Sequence, residues 1–168
     1  MTRTMGGRTL GMLVGLTMLL AGCAKMHAAN TVGGAAPVWS DPSDVGTTLS
    51  SSNFAGKAVY LNLFASWCPP CNDEAPAINA LDKRYASSTF TVIGVDVDEN
   101  PVTAAKFAAK YHLVYPVIAD TGVLRDAFNA NGNGLPMHIF IRRNGTIERI
   151  VVGEMAPKEI EAAIKRIL

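Results

Sequence analysis

The sequence predicts an α/β fold, a central mixed β-sheet flanked by helices. Three observations lead there. Two long apolar runs rich in strand formers, Ala58–Ala65 and Thr89–Val97, are separated by a stretch with helical spacing. A second helical stretch and a short strand pattern follow, which continues the strand–helix alternation typical of parallel pairing. The chain then closes with two strand patterns around Asn144-Gly145, a strong short-range hairpin signal, and a final amphipathic helix.

In chain order, Pro37–Ser52 holds turn chemistry at Asp41-Pro42-Ser43-Asp44, and Val38-Trp39 can begin an edge strand. Asn53–Lys57 reads as a turn with Phe54 buried. Ala58–Ala65 is almost continuously apolar, as expected of a strand covered on both faces, and Asn62 interrupts it. Asn62 is expected to be a satisfied buried amide. Pro69–Tyr85 is predicted helical: a proline in the first turn loses no intrahelical bond, and Ile78, Leu81 and Tyr85 share one face. Pro76, inside this run, is expected to kink it. Asn100 caps a helix over Pro101–Tyr111, and Tyr115–Ala119 is a short strand whose Pro116 suits an edge. A helical turn follows at Leu124–Phe128, then a loop at Asn129–Gly134. That loop contains Gly-x-Gly without the strand–loop–helix setting of a phosphate site, so a nucleotide site is not expected. Met137–Arg142 and Thr146–Val152 form the hairpin. Pro157–Leu168 is a helix with Ile160, Ala163, Ile164 and Ile167 inward.

The 168 residues fit one domain. At the N-terminus, Arg3 and Arg8 precede a charge-free apolar run, Leu10–Leu20, the layout of a secretory signal rather than a membrane span. Leu20-Ala21-Gly22-Cys23 resembles the bacterial lipobox, in which the cysteine is acylated and becomes the first mature residue. The expected organisation is therefore a signal peptide over residues 1–22, a lipidated N-terminus and flexible tether over 23–36, and one domain over 37–168. Losing Arg3 and Arg8 with the signal turns the formal net charge from +1 to −1, which gives no electrostatic case for nucleic acid. Of the three cysteines, Cys23 is then assigned to lipid, and Cys68 with Cys71 remain as a pair. Such a short loop gains little stability from a bridge, so a redox role fits better than a structural clip.

Leu61-Asn62-Leu63-Phe64-Ala65-Ser66-Trp67-Cys68-Pro69-Pro70-Cys71, with Pro76 beyond it, resembles the thioredoxin superfamily and its exported TlpA/ResA-like branch. Gly134-Leu135-Pro136-Met137-His138-Ile139-Phe140-Ile141 looks like the family's cis-proline segment, and Pro101–Ala119 looks like that branch's αβ insertion before it. The resemblance implies a thioredoxin-like fold and thiol-disulfide exchange through a WCPPC dithiol. Cys68, at a helix N-terminus that favours a thiolate, is the expected nucleophile. Cys71, expected to be the more buried, resolves the mixed disulfide. Trp67, Leu135 and Pro136 are the implied substrate contacts, with Pro136 cis.

Plain thioredoxin carries an acid where this chain has Asn62. Glu74 matches a glutamate of ResA-like proteins, and two readings stand for it: a partly buried proton acceptor for Cys71, or an exposed first-turn carboxylate favoured by the helix dipole. His138 is read as filling the strand's far side rather than the site. The resemblance further implies a membrane-tethered monomer in the bacterial cell envelope, in the periplasm or on the outer face of the membrane. Its partners would be disulfide-bearing extracytoplasmic proteins and a membrane thiol-reducing electron donor. Net reduction is favoured, in the manner of cytochrome c maturation, over an oxidase or isomerase. A thiol peroxidase is disfavoured because Ala65-Ser66-Trp67-Cys68 lacks the threonine such enzymes carry. A metal-carrying thioredoxin-like lipoprotein would need wider cysteine spacing. No cofactor or metal is expected, because His112 and His138 form no spaced ligand pair.

Overall fold

The computed structural model describes residues 1, 2, 30–98, 100–130 and 134–168. The lipobox, Cys23 and the first half of the expected tether, residues 23–29, lie outside them. A five-stranded mixed sheet in the order β5-β4-β3-β6-β7 forms the centre. β3 (Ala58–Phe64) pairs in parallel with β4 (Phe90–Asp96), which pairs in parallel with the edge strand β5 (Val117–Ala119). On its other side β3 pairs antiparallel with β6 (Met137–Ile141), the first arm of the hairpin completed by β7 (Ile147–Val152). The hairpin closes through Gly145 N–H to Arg142 O at 2.8 Å, with Gly145 at φ 80°, a conformation that glycine adopts at little cost.

Every residue of β3 is buried, as its apolar run implies. The two-residue period sends Tyr60, Asn62 and Phe64 to one face, with His138 and Phe140 beside them in register. Phe64 stacks on Phe107 of α2 (Pro101–Tyr111) with ring centroids 4.1 Å apart. Gly94 leaves space for this ring, since a Cβ there would lie 3.3 Å from it. The same face meets α1 (Pro69–Tyr85), which runs on through Pro76 as a single helix. α1 is joined to α4 (Pro157–Ile167) by Tyr85 and Arg84, both bonded to Glu161. On the opposite face, Trp39 and Phe54 stack at 6.0 Å and line a small apolar cavity with Val59, Leu61, Ile93 and Ile141.

The ambiguous stretch before β3 is a small antiparallel hairpin of β1 (Ser40–Pro42) and β2 (Thr48–Ser50), followed by a 3₁₀ turn over Ser51–Phe54. Its loop protects the β5 edge, with Asp44 N–H donating to Val117 O and Val117 N–H to the Asp44 carboxylate. The turn after β5 is held by Asp120, whose carboxylate accepts the Leu124 and Arg125 N–H groups opening α3 (Val123–Ala127). Part of the expected tether is built into the sheet. Gly33 N–H donates to Ile147 O, Ile147 N–H returns to Gly34 O, and Ala36 N–H reaches Gly145 O. Small residues allow that close backbone pairing, so the ordered unit begins before Pro37.

Candidate active site

β3 ends at Phe64, and the chain turns over Ala65–Trp67 into α1, whose N-cap is Cys68. Cys68 and Cys71 form a disulfide with Cα atoms 5.3 Å apart, and the Cys71 N–H points at Cys68 Sγ, 3.3 Å away. Burial does not separate the two cysteines as expected, since they are 4% and 3% exposed. Access does. Cys68 lines an open groove of about 310 Å³ with Trp67, Pro69, Pro70, Ala130, Gly134 and Leu135, and Cys71 does not. The Leu135–Pro136 bond is cis, and the half-buried Leu135 lines the same groove as Trp67. Trp67 is 70% exposed, yet it is held: its Nε1–H donates to Asp98 at 2.8 Å, and Ser66 Oγ donates to the same carboxylate. Asp98 N–H is in turn received by Asp96, a buried acid that burial pushes up to about 6.

Beneath the dithiol, the exposed-carboxylate reading of Glu74 fails. Three residues after Cys71, Glu74 takes the same buried side of α1 and is 5% exposed. Its Oε1 accepts the Met155 N–H, and its Oε2 has no hydrogen bond and lies 3.5 Å from His138 Nε2. Burial raises the Glu74 carboxyl to about 7; the Met155 bond opposes this and Glu154 adds to it.

His138 does not simply fill the strand's far side. It is fully buried, its Nδ1 is 2.7 Å from the Tyr60 hydroxyl, and its Nε2 is 3.1 Å from Gly153 O. Burial lowers it to about 4, so between about 4 and 7 both members of the Glu74–His138 contact are neutral, and no ion pair forms there. The Tyr60 hydroxyl is raised by burial and by Glu74. Asn62 also differs from expectation. It is buried as predicted, but its Nδ2 lacks a hydrogen bond of ordinary geometry.

A profile of the AhpC/TSA family matches residues 32–150. The chain belongs to that family. Within it the similarity is to ResA proteins: the thiol-disulfide oxidoreductase ResA of Bacillus thuringiensis (strain Al Hakam) is 30% identical over 123 residues, 73% of this chain and 70% of that one. Among solved structures, a thiol:disulfide interchange protein of the thioredoxin family from Chlorobium tepidum TLS superposes with TM-score 0.71 at 31% identity, over 79% of this chain and 94% of that one. A putative thiol:disulfide interchange protein DsbE from Chlorobium tepidum gives 0.72 at 29% identity, over 81% and 96%. The protein is thus a thiol-disulfide oxidoreductase with a thioredoxin-like fold of the ResA type.

In this oxidoreductase the α2–β5 insertion reaches the dithiol through Asn72. The Asn72 Nδ2 donates to Ser66 O and Cys68 O, and its Oδ1 accepts from Tyr111 and Lys110 of α2. Asn72→Ala removes all four bonds and is expected to lower stability by about 1–2 kcal/mol, read by urea denaturation. Among the described residues, no three His, Cys, Asp or Glu side chains gather as a metal set, and no helix is long and apolar enough to cross a membrane. Sequence reasoning missed Asn72, Tyr60, Asp98 and the Gly153–Met155 segment. The only local signal was that Tyr60 and Asn62 share a strand face.

Proposed function

We propose that the protein is a lipid-anchored reductase of disulfides in extracytoplasmic proteins, acting as a monomer without a cofactor. What carries this reading is the open groove where Cys68, at the start of α1, faces Trp67 and Leu135. The Cys68 thiolate attacks one sulfur of a substrate disulfide, forming a mixed disulfide and releasing the other sulfur as a thiolate. Glu74 takes the proton of Cys71. The Cys71 thiolate then attacks Cys68 Sγ, which forms the Cys68–Cys71 bond and frees the second substrate sulfur as a thiolate. Two electrons have passed to the substrate, and a membrane thiol-reducing protein returns them to the dithiol. Trp67, Leu135 and Pro136 hold the substrate chain as an extended segment beside Cys68.

The lipobox-like Leu20–Cys23 supports attachment by lipid at Cys23, after a signal peptide over residues 1–22, to a bacterial cell-envelope membrane. The resemblance to ResA-like reductases supports net reduction, with cytochrome c maturation as the setting. The reduction potential of the dithiol tests the direction. A value at or below about −250 mV is expected, and one near about −120 mV, where strong oxidants lie, would overturn the reductase reading in favour of an oxidase.

A further inference from the structure

We propose that His138 is a positioning residue for Glu74, supplying through Nε2–H the donor that receives the Glu74 carboxylate when it ionises, with Tyr60 fixing the tautomer that makes this donor available. The inference rests on Glu74 as the acceptor of the Cys71 proton.

The hydrogen-bond chemistry leads to it. Gly153 O can only accept, so the 3.1 Å contact requires a hydrogen on His138 Nε2. A neutral imidazole has a single N–H, which leaves Nδ1 as the acceptor for the Tyr60 hydroxyl at 2.7 Å. The ring is therefore held in one tautomer from both ends. Glu74 Oε2, otherwise without a hydrogen bond, sits 3.5 Å from that same Nε2. A small movement transfers the N–H from the Gly153 carbonyl to the carboxylate. One segment brackets the pair, since Gly153 O holds His138 while Met155 N–H holds Glu74 Oε1.

The groups bearing on Glu74 come from four elements. Tyr60 lies on β3, His138 on β6, Glu154 after β7, and Cys71 one turn earlier on α1. Of these, Glu154 opposes ionisation, and Tyr60 stays protonated and points at His138. His138 is the group whose donor can move onto the free carboxylate oxygen.

The test is the pH dependence of mixed-disulfide resolution by Cys71 in the full chain. In His138→Leu, which keeps bulk and burial but removes the donor, the limb assigned to Glu74 is expected to move upward by about one pH unit, with resolution slowed about fivefold at pH 7 and about tenfold below the limb. His138→Gln, which keeps an N–H donor, should recover most of the shift, whereas a merely structural role would show no such rescue. Glu74→Gln is run beside them. If it leaves the wild-type limb intact, the Glu74 reading itself fails. If it removes the limb while His138→Leu leaves it in place, only the His138 inference is overturned. Should His138→Leu not fold, nitrogen NMR of the wild-type ring decides: Nε2 protonated at neutral pH, loosened to a tautomer mixture in Tyr60→Phe, is the expected result, and an Nδ1-protonated ring overturns the proposal.

Discussion

Cys68→Ser is expected to abolish disulfide exchange, with a loss of at least about a thousandfold in turnover of a disulfide substrate. A serine hydroxyl at the N-cap of α1 keeps the cap and the groove but has no thiolate to offer, so the fold should survive while the chemistry stops. Cys71→Ser should behave differently. Cys68 still reaches the groove and attacks, but nothing displaces the substrate, so the mixed disulfide accumulates on Cys68. Non-reducing electrophoresis with mass spectrometry reads both outcomes. A long-lived adduct on Cys71 in Cys68→Ser, with none on Cys68 in Cys71→Ser, would reverse the assignment. Near-equal burial of the two sulfurs makes this a real test, because only the groove lining and the N-cap position distinguish them.

The second large effect concerns Glu74, whose carboxyl is raised from 4.5 to about 7 by burial. The folded protein holds this proton more tightly than the unfolded chain. The resulting stability is fully present below about pH 4.5 and is lost as pH rises through about 7, up to about 3 kcal/mol in all. Glu74→Gln carries no such titration. In the oxidised state it is expected to match the wild type near pH 4 and to be the more stable protein at pH 8, by urea denaturation at the two pH values. Its resolution step should at the same time slow by about tenfold or more and lose the limb near pH 7. A stability difference that does not change with pH would remove the raised Glu74 carboxyl from this account.

The strands and helices were legible because their signals are local: the apolar run of β3, the Asn100 cap before Pro101, the Asn144-Gly145 turn, and the apolar stripe of α4. So were Cys68, Cys71 and Pro136, each fixed by its neighbours in sequence. Less legible was whatever depends on strand register. That His138 would stand beside Asn62 and face Tyr60 follows from the β3–β6 pairing, 78 residues apart for the Tyr60–His138 bond, and sequence spacing says nothing of it. Glu74 shows the same limit. Its position three after Cys71 placed it on the right helix face, but its burial is decided by the Gly153–Met155 segment, more than 70 residues on. Asp98 was hidden for the opposite reason. It lies in a tight turn after β4, where an acid reads as ordinary solvated turn chemistry until Trp67 is seen bonded to it.

The pairing of Gly33–Ala36 with the hairpin turn also sets an orientation. β3 runs from its first residue, near that turn, toward the dithiol at its far end, and β6 and β7 share this axis. At about 3.3 Å per residue, seven residues of β3 separate the two ends by roughly 20 Å. If the chain is fixed to a membrane at Cys23, it joins the folded body at the pole opposite Cys68. The stretch from Cys23 to Gly33 spans at most about 35 Å when extended. That reach exceeds the distance between the two poles, so a body anchored this way would be free to turn its reactive sulfur to partners in the aqueous compartment and, in the other half of the cycle, to a donor in the membrane.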